Sequence, residues 1–183
     1  YDKANPKREG HKKMNGYNLI KKKPVLWLTM TAVLMAMNVV LSSFSIPVPG
    51  GHLYLNDIVI CTAAILLDPL GAFIVGGVGA FLGDFFFYPA PMFVSLASHG
   101  LEAIVISLCA HNLFKDKKAL GAVIGVVLGA IIMVIGYTLG RAFVYSTPEY
   151  AIIKLPFEIL QAGIGAVMGM VLCFSRNLAQ RFE

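Results

Sequence analysis

Apolar runs of about 20 residues, each closed by proline, glycine or charge, dominate this sequence and limit what it can become. The first reads Val25 to about Phe44 and stops at Ile46-Pro47-Val48-Pro49-Gly50-Gly51, a stretch that cannot continue a helix. Residues 45–56 are then expected as a loop. A shorter run, Asp57 to Leu67, ends at Asp68-Pro69, and a third extends from Leu70 to about Phe87 before Tyr88-Pro89-Ala90-Pro91. Further runs cover about Pro91 to Phe114, Ala119 to about Val144 and Ala151 to about Phe174. Only 14% of the 183 residues are charged and 57% are hydrophobic, whereas a soluble domain carries about 25% charge. A soluble enzyme, a disulfide scaffold and a disordered chain are excluded. The sequence predicts an all-α integral membrane protein, a six-transmembrane-helix bundle over residues 24–178.

Charge orients that bundle. Of the 15 basic residues, Lys3, Lys7, Arg8, Lys12, Lys13, Lys21, Lys22 and Lys23 precede Pro24. Lys115-Asp116-Lys117-Lys118 and the tail with Arg176 and Arg181 hold others, while loops 45–56, 84–91 and 145–150 hold none. With six spans, all basic segments share one side, so the positive-inside rule predicts N-in and C-in. Residues 1–23 are expected as a basic cytoplasmic tail and 179–183 as a C-terminal one. Met14 is a candidate natural start, with residues 1–13 added for expression. The basic run abuts a span and forms no basic face of a folded domain, so no nucleic-acid partner is expected. Cys61, Cys109 and Cys173 stand singly in apolar stretches and are expected to pack as small hydrophobes.

Small residues recur at four-residue spacing: Ala32 and Ala36; Gly79 and Gly83; Gly121, Gly125 and Gly129; Gly165 and Gly169. Such pairs let helix backbones approach closely in lipid. The glycines suit internal packing, and the alanine pair suits either packing or a flat docking face for a partner helix.

Polar residues inside spans are costly, so their grouping is informative. Ser95, His99 and Glu102 share one helix face, as do Tyr137 and Arg141, and Lys154, Glu158 and Gln161; Asn38 and Ser42 lie in the first span. Under the predicted topology all lie in or near the outer half of the membrane, which describes a cup open to the outside. A structural ion-pair cluster, with Glu102 or Glu158 against Arg141, is the alternative. No GxxxxGK[ST] phosphate loop, HExxH helix or GxSxG elbow occurs. No cofactor, metal site or catalytic residue is therefore expected. An intramembrane enzyme using His99 and Glu102 as acid and base, and a self-sufficient homo-oligomeric transporter, are the competing functions.

Several stretches carry a family resemblance. They are His52-Leu53-Tyr54-Leu55-Asn56-Asp57, Leu66-Leu67-Asp68-Pro69-Leu70-Gly71-Ala72, Gly76-Gly77-Val78-Gly79-Ala80-Phe81-Leu82-Gly83-Asp84 and His99-Gly100-Leu101-Glu102-Ala103. With the basic N-terminus and the Ala32/Ala36 pair, about residues 25–178 resemble the S component of an energy-coupling factor (ECF) vitamin transporter. The resemblance implies a substrate-capture subunit in the bacterial plasma membrane. Such a subunit binds a vitamin from outside and associates with a T component and two cytoplasmic ATPases. It then topples in the membrane to release its cargo.

The resemblance also places the pocket at the outer ends of spans four to six and the loop after span one, with Ala32 and Ala36 against the T component. The look is closest to members assigned to hydroxymethylpyrimidine or pyridoxine-like ligands. Asn38, His99, Glu102, Glu158 and Gln161 would then supply hydrogen bonds and Tyr137 a stacking face. Arg141 and Lys154 suit an anion such as pantothenate instead, unless Glu102 and Glu158 neutralise them.

Overall fold

The computed structural model describes residues 23–113 and 118–175. Most of the basic residues behind the predicted orientation, including the N-terminal tail before Lys23 and both Arg176 and Arg181, lie outside the described residues.

Helix α1 spans Pro24–Ser43, opening on a proline whose missing N–H costs nothing in a first turn. The expected loop after it contains a short hairpin, so the chain is not wholly α. Strands β1 (Ser45–Val48) and β2 (Gly51–Tyr54) pair antiparallel, Ser45 with Tyr54 and Val48 with Gly51. Pro49 presets its own φ, and Gly50 takes φ 82°, the positive angle a type II turn requires at its third position. Those breakers end a helix and also reverse an extended chain.

Helix α2 (Asp57–Leu66) has ten residues, about 15 Å of rise against a hydrocarbon core of about 30 Å. Five other helices account for the segments long and apolar enough to cross a membrane among the described residues. These are α1, α3 (Pro69–Phe87), α4 (Met92–Leu113), α5 (Lys118–Tyr145) and α6 (Pro148–Ser175). Each matches one of the expected runs to within a few residues. Nine of the ten α2 residues are buried, as befits a helix apolar on every side. Its neighbours shield it, so protein rather than lipid meets its ends. Ser107 Oγ donates to the Leu67 carbonyl at 2.7 Å, and Trp27 Nε1 donates to Asp68 Oδ1 at 2.6 Å. Asp68 in turn caps α3 by accepting from the Leu70 and Gly71 N–H groups.

Around this central helix the core forms two groups. Ile60 and Ala64 pack with Ala103 and Ile106 of α4 and Ala122 and Val126 of α5. Val59, Ala63 and Leu67 pack with Val75 of α3, against Trp27 and Leu34 of α1. The spaced glycines stand at helix crossings. A Cβ on Gly121 would sit 2.6 Å from the Cys109 carbonyl oxygen of α4, and one on Gly169 would sit 2.6 Å from Cys61 Cβ of α2. Ala32 and Ala36 differ: both are exposed, on the helix with the smallest buried share of the five.

Among the described residues, π-helical turns lie within α3 at Ile74–Val78 and close α4 and α5 at Cys109–Leu113 and Arg141–Tyr145. Such turns disturb the usual carbonyl pairing and recur at functional positions. Pro156, inside α6, likewise cannot donate to the Ile152 carbonyl.

Candidate functional site

The hairpin lies over one end of α5 and α6, and the polar residues gather beneath it. Lys154 and Glu158 stand four apart on α6 and so share a face. Arg141 opens the last π turn of α5. Glu158 Oε1 accepts from both cations, Arg141 Nη2 at 3.1 Å and Lys154 Nζ at 3.3 Å. Arg141 Nη1 also donates to the Gly50 carbonyl at 2.7 Å, and the guanidinium lies 5.2 Å from the Tyr145 ring centre. The hairpin tip is thus tied to the ionic group.

Gln161, almost one turn further along α6, joins two layers. Its Oε1 accepts from the Tyr54 N–H at 3.0 Å, and its Nε2 donates to Asp57 Oδ2 at 2.9 Å. Behind it lie Asp57, His99 and Glu102, all buried. The Tyr137 ring centre is 5.1 Å from that of His99. Its hydroxyl donates to Ser95 Oγ, and Ser95 donates to Asp84 Oδ2.

A narrow crevice with about 20 Å³ of free interior runs between these groups. Its walls include Tyr54, Asp84, Tyr137, Arg141, Lys154, Glu158 and Gln161, with His52, Tyr88 and Tyr145. Burial pushes the Tyr54 phenol above its ordinary range, so it stays protonated and able to donate. Two cations and two carboxylates line the walls; Glu158 holds both cations, and Asp84 accepts from Ser95. Aromatic faces and a few convergent polar groups are the usual makings of a small-molecule site, and the walls here stand close together, enclosing space for little more than a water molecule.

Of the polar residues singled out from sequence, Tyr137, Arg141, Lys154, Glu158 and Gln161 line the crevice. His99 and Glu102 lie in the buried layer behind Gln161. The carboxylate against Arg141 is Glu158, while Glu102 pairs with His99 at 2.8 Å. Asn38 is placed elsewhere: its Nδ2 donates to the Val75 carbonyl at 2.6 Å, inside the first π turn. A carbonyl disturbed by that turn attracts a buried amide, and this interaction has no signature in local sequence.

Asp57 and Asp84 stand out in the sequence only as members of longer motif stretches. An acid opening an apolar run after Asn56 is the signal that could have singled out Asp57. Tyr54 ends β2, Tyr88 follows α3 and Tyr145 ends α5, and only the tertiary fold brings them together.

The family model for the ECF-type riboflavin transporter S component matches residues 23–179. A Pyrococcus woesei protein, the "uncharacterized protein in gap 3'region", is 34% identical over 126 residues, covering 68% of this chain and 82% of that one. Membership in this family implies a small-molecule substrate and partners of the T-component and ATPase kinds, and the family is one of transporter components rather than enzymes. The aromatic crevice, the apolar helices and the match over residues 23–179 agree: the chain is a multi-pass membrane protein and belongs to the S-component family of ECF-type transporters.

Proposed function

We propose that this S component captures a small, uncharged heteroaromatic vitamin precursor, of the hydroxymethylpyrimidine or pyridoxine kind. The observation that carries the proposal is a narrow aromatic crevice whose charged groups are already paired within the protein. Arg141 and Lys154 both pair with Glu158 there and Asp84 accepts from Ser95, so a neutral ligand with hydroxyl or amino groups meets charged groups that already have partners. Tyr137 and Tyr54 offer ring faces, and Glu158, Gln161 and Asp84 accept or donate hydrogen bonds. His99 and Glu102 hold the back of the site, and Asn38 supports the helix that carries Asp84.

In this reading the chain lies N-in and C-in in a bacterial plasma membrane, with its basic tail cytoplasmic. The cargo is handed on through a T component seated on the Ala32/Ala36 face, driven by two ATPases.

A pantothenate-specific site is the second reading, because both cations lean on the single Glu158 carboxylate. A carboxylate ligand could take one of them over. The deciding experiment is mass spectrometry of ligand released from the purified protein, with a thermal-shift panel of vitamins. A pyrimidine or pyridine that raises the melting temperature supports the proposal. Stabilisation by pantothenate alone moves the assignment to the anion, and stabilisation by riboflavin alone overturns both. Uptake into liposomes holding only this chain would instead indicate a self-sufficient transporter.

A further inference from the structure

Behind the crevice wall lies a second constellation whose side chains do not line the crevice. Asp57 begins α2, and His99 and Glu102 stand three apart on α4. Each is only 1% exposed. One donor atom from each lies within 4.8 Å of the other two. His99 Nδ1 is 2.8 Å from Glu102 Oε2 and 3.4 Å from Asp57 Oδ1.

One ring nitrogen carries at most one proton, yet here it faces two carboxylates. Its hydrogen bond goes to Glu102, and Asp57 Oδ1 is left buried without a hydrogen-bond partner. A buried oxygen in that state is costly, and two buried acids share a single imidazole nitrogen. The remaining oxygens are held in place. Asp57 Oδ2 accepts from Gln161 Nε2 at 2.9 Å, and Glu102 Oε1 lies 3.9 Å from the Cys61 thiol.

We propose that Asp57 Oδ1, His99 Nδ1 and Glu102 Oε2 bind one divalent transition-metal ion of the zinc class. Metal–ligand bonds of about 2.0–2.2 Å in a tetrahedron put neighbouring donor atoms roughly 3.3–3.6 Å apart. The 3.4 Å separation already fits, and the 2.8 Å one needs to open by about half an ångström once the shared proton leaves. Two carboxylates and a neutral imidazole balance a dication, which also engages the orphaned Asp57 oxygen. One nitrogen with a thiol alongside suits zinc, cobalt or nickel better than magnesium, which demands an octahedron of oxygens. Gln161 is the outer residue that orients the Asp57 ligand. Because Gln161 also accepts from the Tyr54 N–H, the ion would stiffen the contact between α2, α4, α6 and the hairpin. The inference stands apart from the identity of the cargo.

The test uses the full chain in detergent, stripped with a chelator and titrated with Co²⁺ as a visible-absorbing probe. One saturable equivalent with a tetrahedral spectrum, displaced by Zn²⁺, is expected. Asp57→Asn and Glu102→Gln should abolish the spectrum, and Gln161→Leu should weaken binding by about 10–100-fold. No saturable spectrum in the unmodified protein overturns the proposal, whatever the variants do. Unchanged Co²⁺ affinity in a folded Asp57→Asn or Glu102→Gln protein also overturns it. The vitamin panel repeated on chelator-stripped protein keeps the two questions separate, since stabilisation there upholds cargo binding whether or not the metal binds.

Discussion

Arg141 and Glu158 meet through Nη2 and Oε1 at 3.1 Å, and Lys154 Nζ shares that same carboxylate oxygen at 3.3 Å. One buried acid therefore holds two buried cations, one from α5 and one from α6. Removing the acid strands both. Glu158→Gln is expected to destabilise the protein by about 3–5 kcal/mol, the usual cost of leaving a buried charge unpaired. Thermal unfolding in detergent measures it. A melting temperature within a degree of the unmodified protein would show that water already screens the pair.

Asn38 is expected to matter for stability through the Val75 carbonyl. Asn38→Leu removes the donor and leaves a buried acceptor unmet, at a cost of about 1–3 kcal/mol. Its unfolding temperature should fall, while Asn38→Gln should recover part of the loss only if its longer arm still reaches the turn. Equal stability of the leucine variant would mean that the π turn satisfies Val75 by itself.

The glycines divide into two classes by what stands opposite them. Gly121→Val forces side-chain atoms against the Cys109 backbone and should cost at least about 1–3 kcal/mol through helix separation. A Cβ added at Gly163 would meet nothing within 4 Å, so Gly163→Ala should be neutral or stabilising by up to about 1 kcal/mol. Paired unfolding curves check both signs.

Ala32 and Ala36 present a small, exposed surface on α1. Under the proposed docking role, the Ala32→Trp/Ala36→Trp double variant keeps vitamin binding by the isolated subunit. It should lower uptake by the assembled transporter at least about tenfold, a loss of roughly 1.4 kcal/mol in association. Vitamin uptake by cells carrying the full transporter reads the effect, and undiminished uptake would remove the docking role.

The helical plan was legible because hydrocarbon solvent allows few solutions. A chain that must satisfy its backbone inside lipid writes its spans as long apolar runs, and Pro49-Gly50, Asp68-Pro69 and Pro89-Ala90-Pro91 punctuate them. The hairpin was less legible. Pro47, Pro49, Gly50 and Gly51 forbid a helix equally well in an open loop or a tight reversal, and only pairing with residues 51–54 distinguishes the two. The polar faces on α4, α5 and α6 were visible as spacings of three and four. Which face meets which was not, since Glu102 and Glu158 offer the same chemistry to Arg141 until the helices are packed.

By itself, then, the sequence determined the solvent, the apolar segments and the residues too polar to face lipid, because these follow from transfer free energies of individual side chains and runs. The tertiary structure alone decided that α2 is buried at the centre and that Asn38 serves a π turn. It also decided that Glu158 takes both cations, and that Asp57 joins His99 and Glu102 across 42 and 45 residues of chain. Those outcomes depend on distances between groups remote in sequence. Such distances are set by how glycine-lined helices close against one another, a property of the packed bundle that no local pattern encodes.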